Sequence, residues 1–436
     1  MPPRATHAIS STEGKQTECS NIKRKKNEKY QKIKHVKTDK SRTQFVVGDF
    51  PAFRDSQTRT VGTEDGGKTS WVDGDEILLS FTSKILGEQR ATLTKTSSGW
   101  EIKDSPIYMR EDEAPAVKAL YAPNYEWKDN TLSLKDGTVE GTGEYIEVDC
   151  DVHSADEIIV PFNNATRNYS RLRIATIKNE PITVGTEYFT PVAGSREDSK
   201  EYSLTSDNNG NVFLYGSFVK NSTVTVKYNG TSLANYTFTG TTEKGKSYAL
   251  DATVISESSV DDIGGAIANK IAEGKTNINL ILTSEANENV FENIQYGLME
   301  AGYNSINLTV MGCKKIPSSA FKHFTMLKSI TLPDVEEIGE YAFANCTWLQ
   351  KVVLGNLKKV YGNKDYGGIF DGCDPKHYID LVLSNDQKVM RGKEIEDGRY
   401  CWTPDMENYN NSMYHKSQKF LDYDFKSIKC GYQTYP

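Results

Sequence analysis

Hydrophobic and polar residues alternate in short runs through residues 45–252, as in "EILLSFTS", "GEYIEVDCDV", "NVFLYGSF", "STVTVKY" and "LANYTFTG". Turn signals such as "VDGD", "KDG", "DNNG" and "YNG" separate the runs, which is the pattern of antiparallel strands packed as sandwiches. The region is longer than one sandwich usually needs, and the polar stretch "KDGTVEGTG" places a seam near residue 145. From Ser256 the period changes. Val260, Ile263, Ile267 and Ile271 stand at helical spacing, with Ser258 or Ser259 as cap and Gly274 as stop. A strand "NINLILT", a second helical stretch "NVFENIQYGLMEAG" and a strand "SINLTVM" follow.

The chain then repeats itself. "IPSSAFKHFTMLKSITL" (316–332) and "IGEYAFANCTWLQKVVL" (338–354) match at a fixed offset, with Phe321 answered by Phe343 and Leu327 by Leu349. A period of that size marks a solenoid, whose units bury their apolar edges only by stacking. Aligned strands give the inward pairs Ile278/Leu280, Ile306/Leu308, Ile330/Leu332, Val352/Leu354 and Ile379/Leu381. Side chains alternate along a strand, so the residues between those pairs, Asn279, Asn307, Thr331, Val353 and Asp380, are expected to form an exposed ladder and a candidate binding face. Cys346 and Cys373 follow the repeat phenylalanines and are expected as structural thiols inside the coil.

Charge changes the picture at one end. Residues 1–42 hold 12 Lys+Arg against 4 Asp+Glu, leaving 40 against 55 in the remainder. The body is acidic, which argues against a nucleic-acid partner, whose phosphates require a basic face. The basic segment has little to bury and is expected to be disordered. No secretory signal is readable in it, as expected if the protein is not exported or if residues 1–42 are not the natural start, and the chain has no apolar run long enough for a membrane-spanning helix. The seven cysteines lack any C-x-x-C pair, so neither zinc nor a disulfide framework is indicated.

The unit A-F-x-x-C-x-x-L-x-x-[IV]-x-L, complete in "AFANCTWLQKVVL" and partial in "AFKHFTMLKSITL", resembles the BspA-type leucine-rich repeat of bacterial and some protist surfaces. The earlier region, through "TRT", "WVDGDEILL", "VKALYAPN", "NYSRLRIAT" and "KGKSYALDATV", resembles the fimbrillin family of the Bacteroidales, the Mfa-like and type V pilin-like proteins. That resemblance implies two transthyretin-like β-sandwiches, a cell-surface or outer-membrane location and an adhesive role. It also implies processing after an arginine near the first strand, for which Arg54 and Arg59 are the candidates, followed by strand exchange between subunits. Cys19 follows "QTE" and forms no lipobox.

The six histidines are isolated, and no H-E-x-x-H, G-x-S-x-G, Walker or dinucleotide-binding motif occurs. "DNNGN" (207–211) imitates the start of a calcium loop, but Phe218 stands where a terminal glutamate belongs, so a hairpin turn is expected. Asp73 and Asp75 flank Gly74 and also read as a turn. A glycosidase would need two carboxylates at a set distance, which only three dimensions can provide.

The expected organisation is mainly β with α/β repeats. A disordered basic segment (1–42) precedes two fimbrillin-like sandwiches (43–145 and 146–254), a short leucine-rich-repeat solenoid (255–385) and a cap or tail (386–436). The expected function is a non-catalytic adhesin or ligand-binding protein without cofactor or metal. Its partners would be a host matrix protein or glycan, or, if it is instead an accessory or tip subunit of a fimbria, other fimbrial subunits.

Overall fold

The computed structural model describes residues 36–37, 43–51, 53, 68–103, 106–110, 113–154, 156–284, 286–302, 304–355, 357–362, 367–383, 391–396, 399–403, 419–420, 423–430 and 433–435. The expected processing sites Arg54 and Arg59, and nearly all of the basic segment 1–42, lie outside them. The chain is mainly β.

The first unit is built from strands β1 (Gln44–Val47), β2 (Glu76–Ser83), β3 (Gly87–Thr96), β4 (Gly99–Ile102), β5 (Ala116–Tyr121), β6 (Ile146–Asp149), β7 (Asp151–Ser154) and β8 (Glu157–Val160). They form a five-stranded sheet in the order β6-β5-β2-β3-β4 and a three-stranded sheet β7-β8-β1. The alternating apolar residues Ile77, Leu79 and Phe81 of β2 and Ile158 and Val160 of β8 meet in one core. Strands β6 to β8 belong to this unit, so the seam expected at residue 145 falls inside it. Residue 145 precedes a strand that pairs with β5 in antiparallel register, Ile146 against Tyr121, and Ile146 and Val148 pack into the first core. The polar run 135–143 that suggested a boundary is instead a turn-rich connection within the unit.

The second unit comprises β9 (Ser170–Ala175), β10 (Pro181–Pro191), β11 (Glu197–Thr205), β12 (Asn211–Tyr228), β13 (Thr231–Thr237) and β14 (Ser247–Asp251). The sheet order is β11-β10-β12-β9-β14, and β13 pairs with the second half of the long strand β12. A buried polar cluster marks the join between the first two units. Arg167 makes two 3.0 Å hydrogen bonds to the Glu144 carboxylate, the Tyr169 hydroxyl donates to the same carboxylate, and the Arg167 guanidinium lies 3.9 Å from the Phe53 ring centroid. Burial of both charges is tolerable because each is paired and hydrogen-bonded.

The third unit begins at β15 (Val254–Ser256), which pairs in parallel with β16 (Asn277–Ile281). Helix α1 (Ile263–Ala272) lies between them in sequence, capped by the Asp262 side chain, which accepts from Gly265 N at 3.0 Å. The expected serine cap is displaced because Glu257–Ser259 forms a separate helical turn ahead of the helix. Helix α2 (Glu288–Met299) follows, and α1 and α2 approach closely: a Cβ on Gly297 would sit 2.3 Å from the Gly264 carbonyl oxygen. Strands β17 (Ile306–Met311), β19 (Leu327–Leu332), β21 (Lys351–Leu354) and β23 (Asp380–Leu383) continue the sheet in parallel. A second ladder of short parallel strands, β18 (Lys315–Ile316), β20 (Glu337–Ile338) and β22 (Lys359–Tyr361), stacks alongside with Ile316, Ile338 and Val360 buried.

Between the two ladders run stacked phenylalanines. Ring centroids of Phe291, Phe321, Phe343 and Phe370 are spaced 5.8 Å apart in succession, and Phe425 closes the stack 5.5 Å from Phe370. Residues expected to be a separate cap or tail therefore add a further rung. Strand β24 (Ser427–Cys430) joins β23 in parallel, Leu381 beside Ile428, and β25 (Gln433–Tyr435) then turns back antiparallel. The antiparallel return ends the parallel stacking.

Candidate binding face

The inward side of the long sheet holds Ile278, Leu280, Leu308, Ile330, Leu332, Val352, Leu354, Leu381 and Ile428, all buried. The outward side carries two rows. Pairing in register gives Asn277–Asn307–Ser329–Lys351–Asp380–Ser427 in one and Asn279–Thr309–Thr331–Val353–Val382–Lys429 in the other. The expected ladder Asn279, Asn307, Thr331, Val353 and Asp380 therefore lies on the correct side but mixes the rows, because Asn307 and Asp380 sit two positions out of register with the other three. A shift of two residues keeps every side chain on its face. The apolar triplets Ile306/Leu308/Val310 and Ile379/Leu381/Leu383 admit either frame.

Asn279 departs further from expectation. It is 3% exposed, and its amide donates to the Leu233 and Thr253 carbonyls at 3.1 and 3.2 Å. Thr309 beside it is 8% exposed. The second unit covers this end of the face: Ile281, Met311 and Val254 pack into the core formed by Leu172, Val184, Phe218 and Leu233. Asn279 is thus a buried joint residue, and its row becomes accessible only from Thr331, whereas the other row is already exposed at Asn277 and half-buried at Asn307.

Along the first row the polar groups satisfy one another. Asn307 Nδ2 donates to Asn277 Oδ1 at 2.9 Å, and Ser329 Oγ donates to Asn307 Oδ1 at 2.8 Å. At the far end Lys426 Nζ and Ser427 Oγ donate to the two Asp380 oxygens at 2.9 and 2.6 Å. Burial would raise the Asp380 carboxyl, but those two donors hold it below the usual carboxylate value. In the second row Val353 and Val382 stand directly side by side, half-buried on the outward face. Thr331 and Lys429 flank them in the row, and Lys351 and Asp380 lie in the neighbouring one. The sequence reading missed Val382, Lys351 and Lys429. Correct register in β23 would have found Val382; Lys429 lies in the stretch 386–436, expected as a cap or tail.

The other candidates resolve as structural features. Asp207 Oδ1 accepts from the backbone of Asn209 and Asn211 at 2.9 and 2.8 Å, which ties a hairpin turn. Asp75 accepts from Val72 N at 2.7 Å across the Gly74 turn, where φ is +92°. The Cys346 thiol is buried and donates to the Phe321 carbonyl at 3.0 Å. Burial also pushes the Cys373 thiol up to about 11, so both are poor nucleophiles. Among the described residues no group of three or more His, Cys, Asp or Glu side chains is placed to hold a metal ion. No helix among them is long and apolar enough to cross a membrane.

Residues 275–375 match the BspA type leucine rich repeat region in six copies. The matched segment runs from the entry to β16 past Phe370 and covers β16 to β22, whereas β15, β23 and β24 of the parallel stack lie outside it. A crystal structure from Bacteroides fragilis, of a candidate cell adhesion protein, is similar at 13% identity over 49% of this chain and 93% of that one, with a TM-score of 0.28. At that TM-score the likeness says nothing about function.

Proposed function

We propose that the chain is a non-catalytic cell-surface adhesin, in which two transthyretin-like sandwiches form a fimbrillin-like stalk and the repeats form a short solenoid that binds a host matrix protein or glycan. The observation that carries this is the outward pair Val353 and Val382, an apolar centre framed by Thr331, Lys351, Asp380 and Lys429. A small apolar centre with a polar rim is the anatomy of a protein-binding patch. The BspA-type repeats support the same reading, since stacked repeats offer extended faces rather than enclosed pockets. Lys351, Lys426 and Lys429 against Asp380 give this patch a basic surplus on an acidic body, which suits a partner that presents carboxylates or sulfates. The test is binding of the full chain to immobilised collagen, laminin, fibronectin and sulfated glycans. Saturable binding that weakens with salt supports the adhesin, and absence of binding to every probe counts against it.

One observation favours a second reading, an accessory or tip subunit of a fimbria. Strand β1 pairs only with β8 among the described residues, in parallel, yet delivers Phe45 to the first core, with Phe50 following close behind. Loss of that strand would leave an open groove able to accept a strand from another subunit. Limited cleavage with trypsin, followed by mixing with fimbrial subunits, distinguishes the two. Cleavage-dependent association supports the fimbrial role, and unchanged behaviour supports the adhesin.

A further inference from the structure

A cleft of about 680 Å³ lies away from the sheet face, along the ends of the short strands β18, β20 and β22 and against the start of α2. Its volume falls within the range of small-ligand sites. Three successive rungs supply its floor, with Pro317 and Ser318 after β18, Gly339 and Glu340 after β20, and Tyr361 ending β22. Gly339 lets two of these rungs approach closely, since a Cβ there would come within 2.4 Å of Ser318 N. The helix side contributes Asn287, Glu288 and Asn289.

The chemistry of these groups is specific. Among the described residues the exposed side chains of Asn289, Ser318 and Lys315 form no hydrogen bond or ion pair. One position away the outer surface is fully paired: Glu336 bridges Lys314 at 3.1 Å and Lys358 at 2.7 Å. The cleft thus offers amide, hydroxyl and ammonium groups able to donate or accept while the adjacent surface spends its groups on itself. Tyr361 adds a ring, backed by Lys359 Nζ at 4.4 Å from its centroid. Lys315 against Glu288 leaves the lining without a positive surplus to attract an anion, and the density of polar groups disfavours an apolar ligand. A neutral polyhydroxylated ligand satisfies both conditions, because its hydroxyls pair with the amide and carboxylate groups and its C–H face packs on the tyrosine.

We infer that this cleft is a binding site for a neutral oligosaccharide, separate from the sheet face and independent of what that face binds. The experiment is saturation-transfer NMR of the full chain with maltotetraose, cellotetraose, chitotetraose and mannotetraose, with a heparin tetrasaccharide as the anionic comparison. Saturable transfer from at least one neutral sugar is expected, weakened about tenfold or more by Asn289→Ala and by Tyr361→Ala. Sheet-face binding is read separately, with matrix proteins and Val353→Glu, so failure of that reading is distinguishable from failure here. If Tyr361→Ala lowers the melting temperature, the exposed pair Asn289→Ala and Ser318→Ala carries the test. No transfer from any neutral sugar, transfer unaffected by these substitutions, or binding of the heparin fragment alone would overturn the inference.

Discussion

Truncating Phe343 to alanine tests whether the stacked rings hold the repeats together. The side chain has no exposed surface, and its ring lies 5.8 Å from both Phe321 and Phe370. A buried Phe→Ala change costs about 3–5 kcal/mol through lost transfer energy and the cavity left behind. Phe343 should fall at the upper end, because it loses two ring contacts worth about 0.5–1.5 kcal/mol each. Phe343→Leu keeps most of the buried volume and should cost about 1–2 kcal/mol. Phe291→Ala, at the other end of the stack with Phe321 as its ring neighbour, should cost less than Phe343→Ala, as nearest-neighbour coupling between repeats requires. Urea unfolding combined with amide exchange at Leu332 and Leu354, which lie in the flanking strands, reads the loss. A cost under about 2 kcal/mol for Phe343→Ala, or a larger cost at Phe291, would refute the stacking argument.

Further outcomes follow from the joins between units. Arg167→Ala strands the buried Glu144 carboxylate and should destabilise by about 3–5 kcal/mol, whereas a double-mutant cycle with Glu144→Leu should show strong coupling in chemical unfolding. Gly297→Ala forces a methyl group against the Gly264 carbonyl and should lower stability by about 1–3 kcal/mol in the same assay. Asp251 ends β14 beside Lys270 and Lys275. Burial works to raise its carboxyl, but the Thr253 hydroxyl and amide and the two lysines bring it down to about 2. On Lys270 burial outweighs the pull of Asp251 and lowers the ammonium. A carboxyl depressed on folding stabilises above its unfolded value and loses that contribution as pH falls through the folded value. The melting temperature should therefore drop between about pH 4 and pH 2, and Asp251→Asn should flatten that limb.

The repeats were legible in the sequence because a stacked coil needs the same apolar residue at the same place in each rung. Phe321, Phe343 and Phe370 declare themselves in this way, as do the paired strands around Ile330 and Val352. Register was less legible. Three alternating apolar residues in β17 and in β23 satisfy the inward face in either of two frames, and only the stacking of neighbouring strands chooses between them. Asn279 shows a different limit. Its alternation correctly placed it on the outward side, but its burial comes from β13, distant in sequence, whose Leu233 carbonyl it meets. The unit boundary failed for a related reason: β8 pairs with β1 across more than a hundred residues, a contact that no local pattern encodes. Phe425 and Ile428 stood in a stretch without the repeat spacing, because a long insertion separates that rung from the preceding one.

The central claim is that the outward face around Val353 and Val382 binds a partner. The most direct test compares the full chain with a Val353→Glu/Val382→Glu variant and a Lys314→Glu control for binding to the matrix proteins and sulfated glycans that the native chain captures. The account predicts at least a tenfold loss of affinity for the double variant, with the melting temperature and the control unchanged. Native affinity in the double variant, or equal loss in the control, would contradict it.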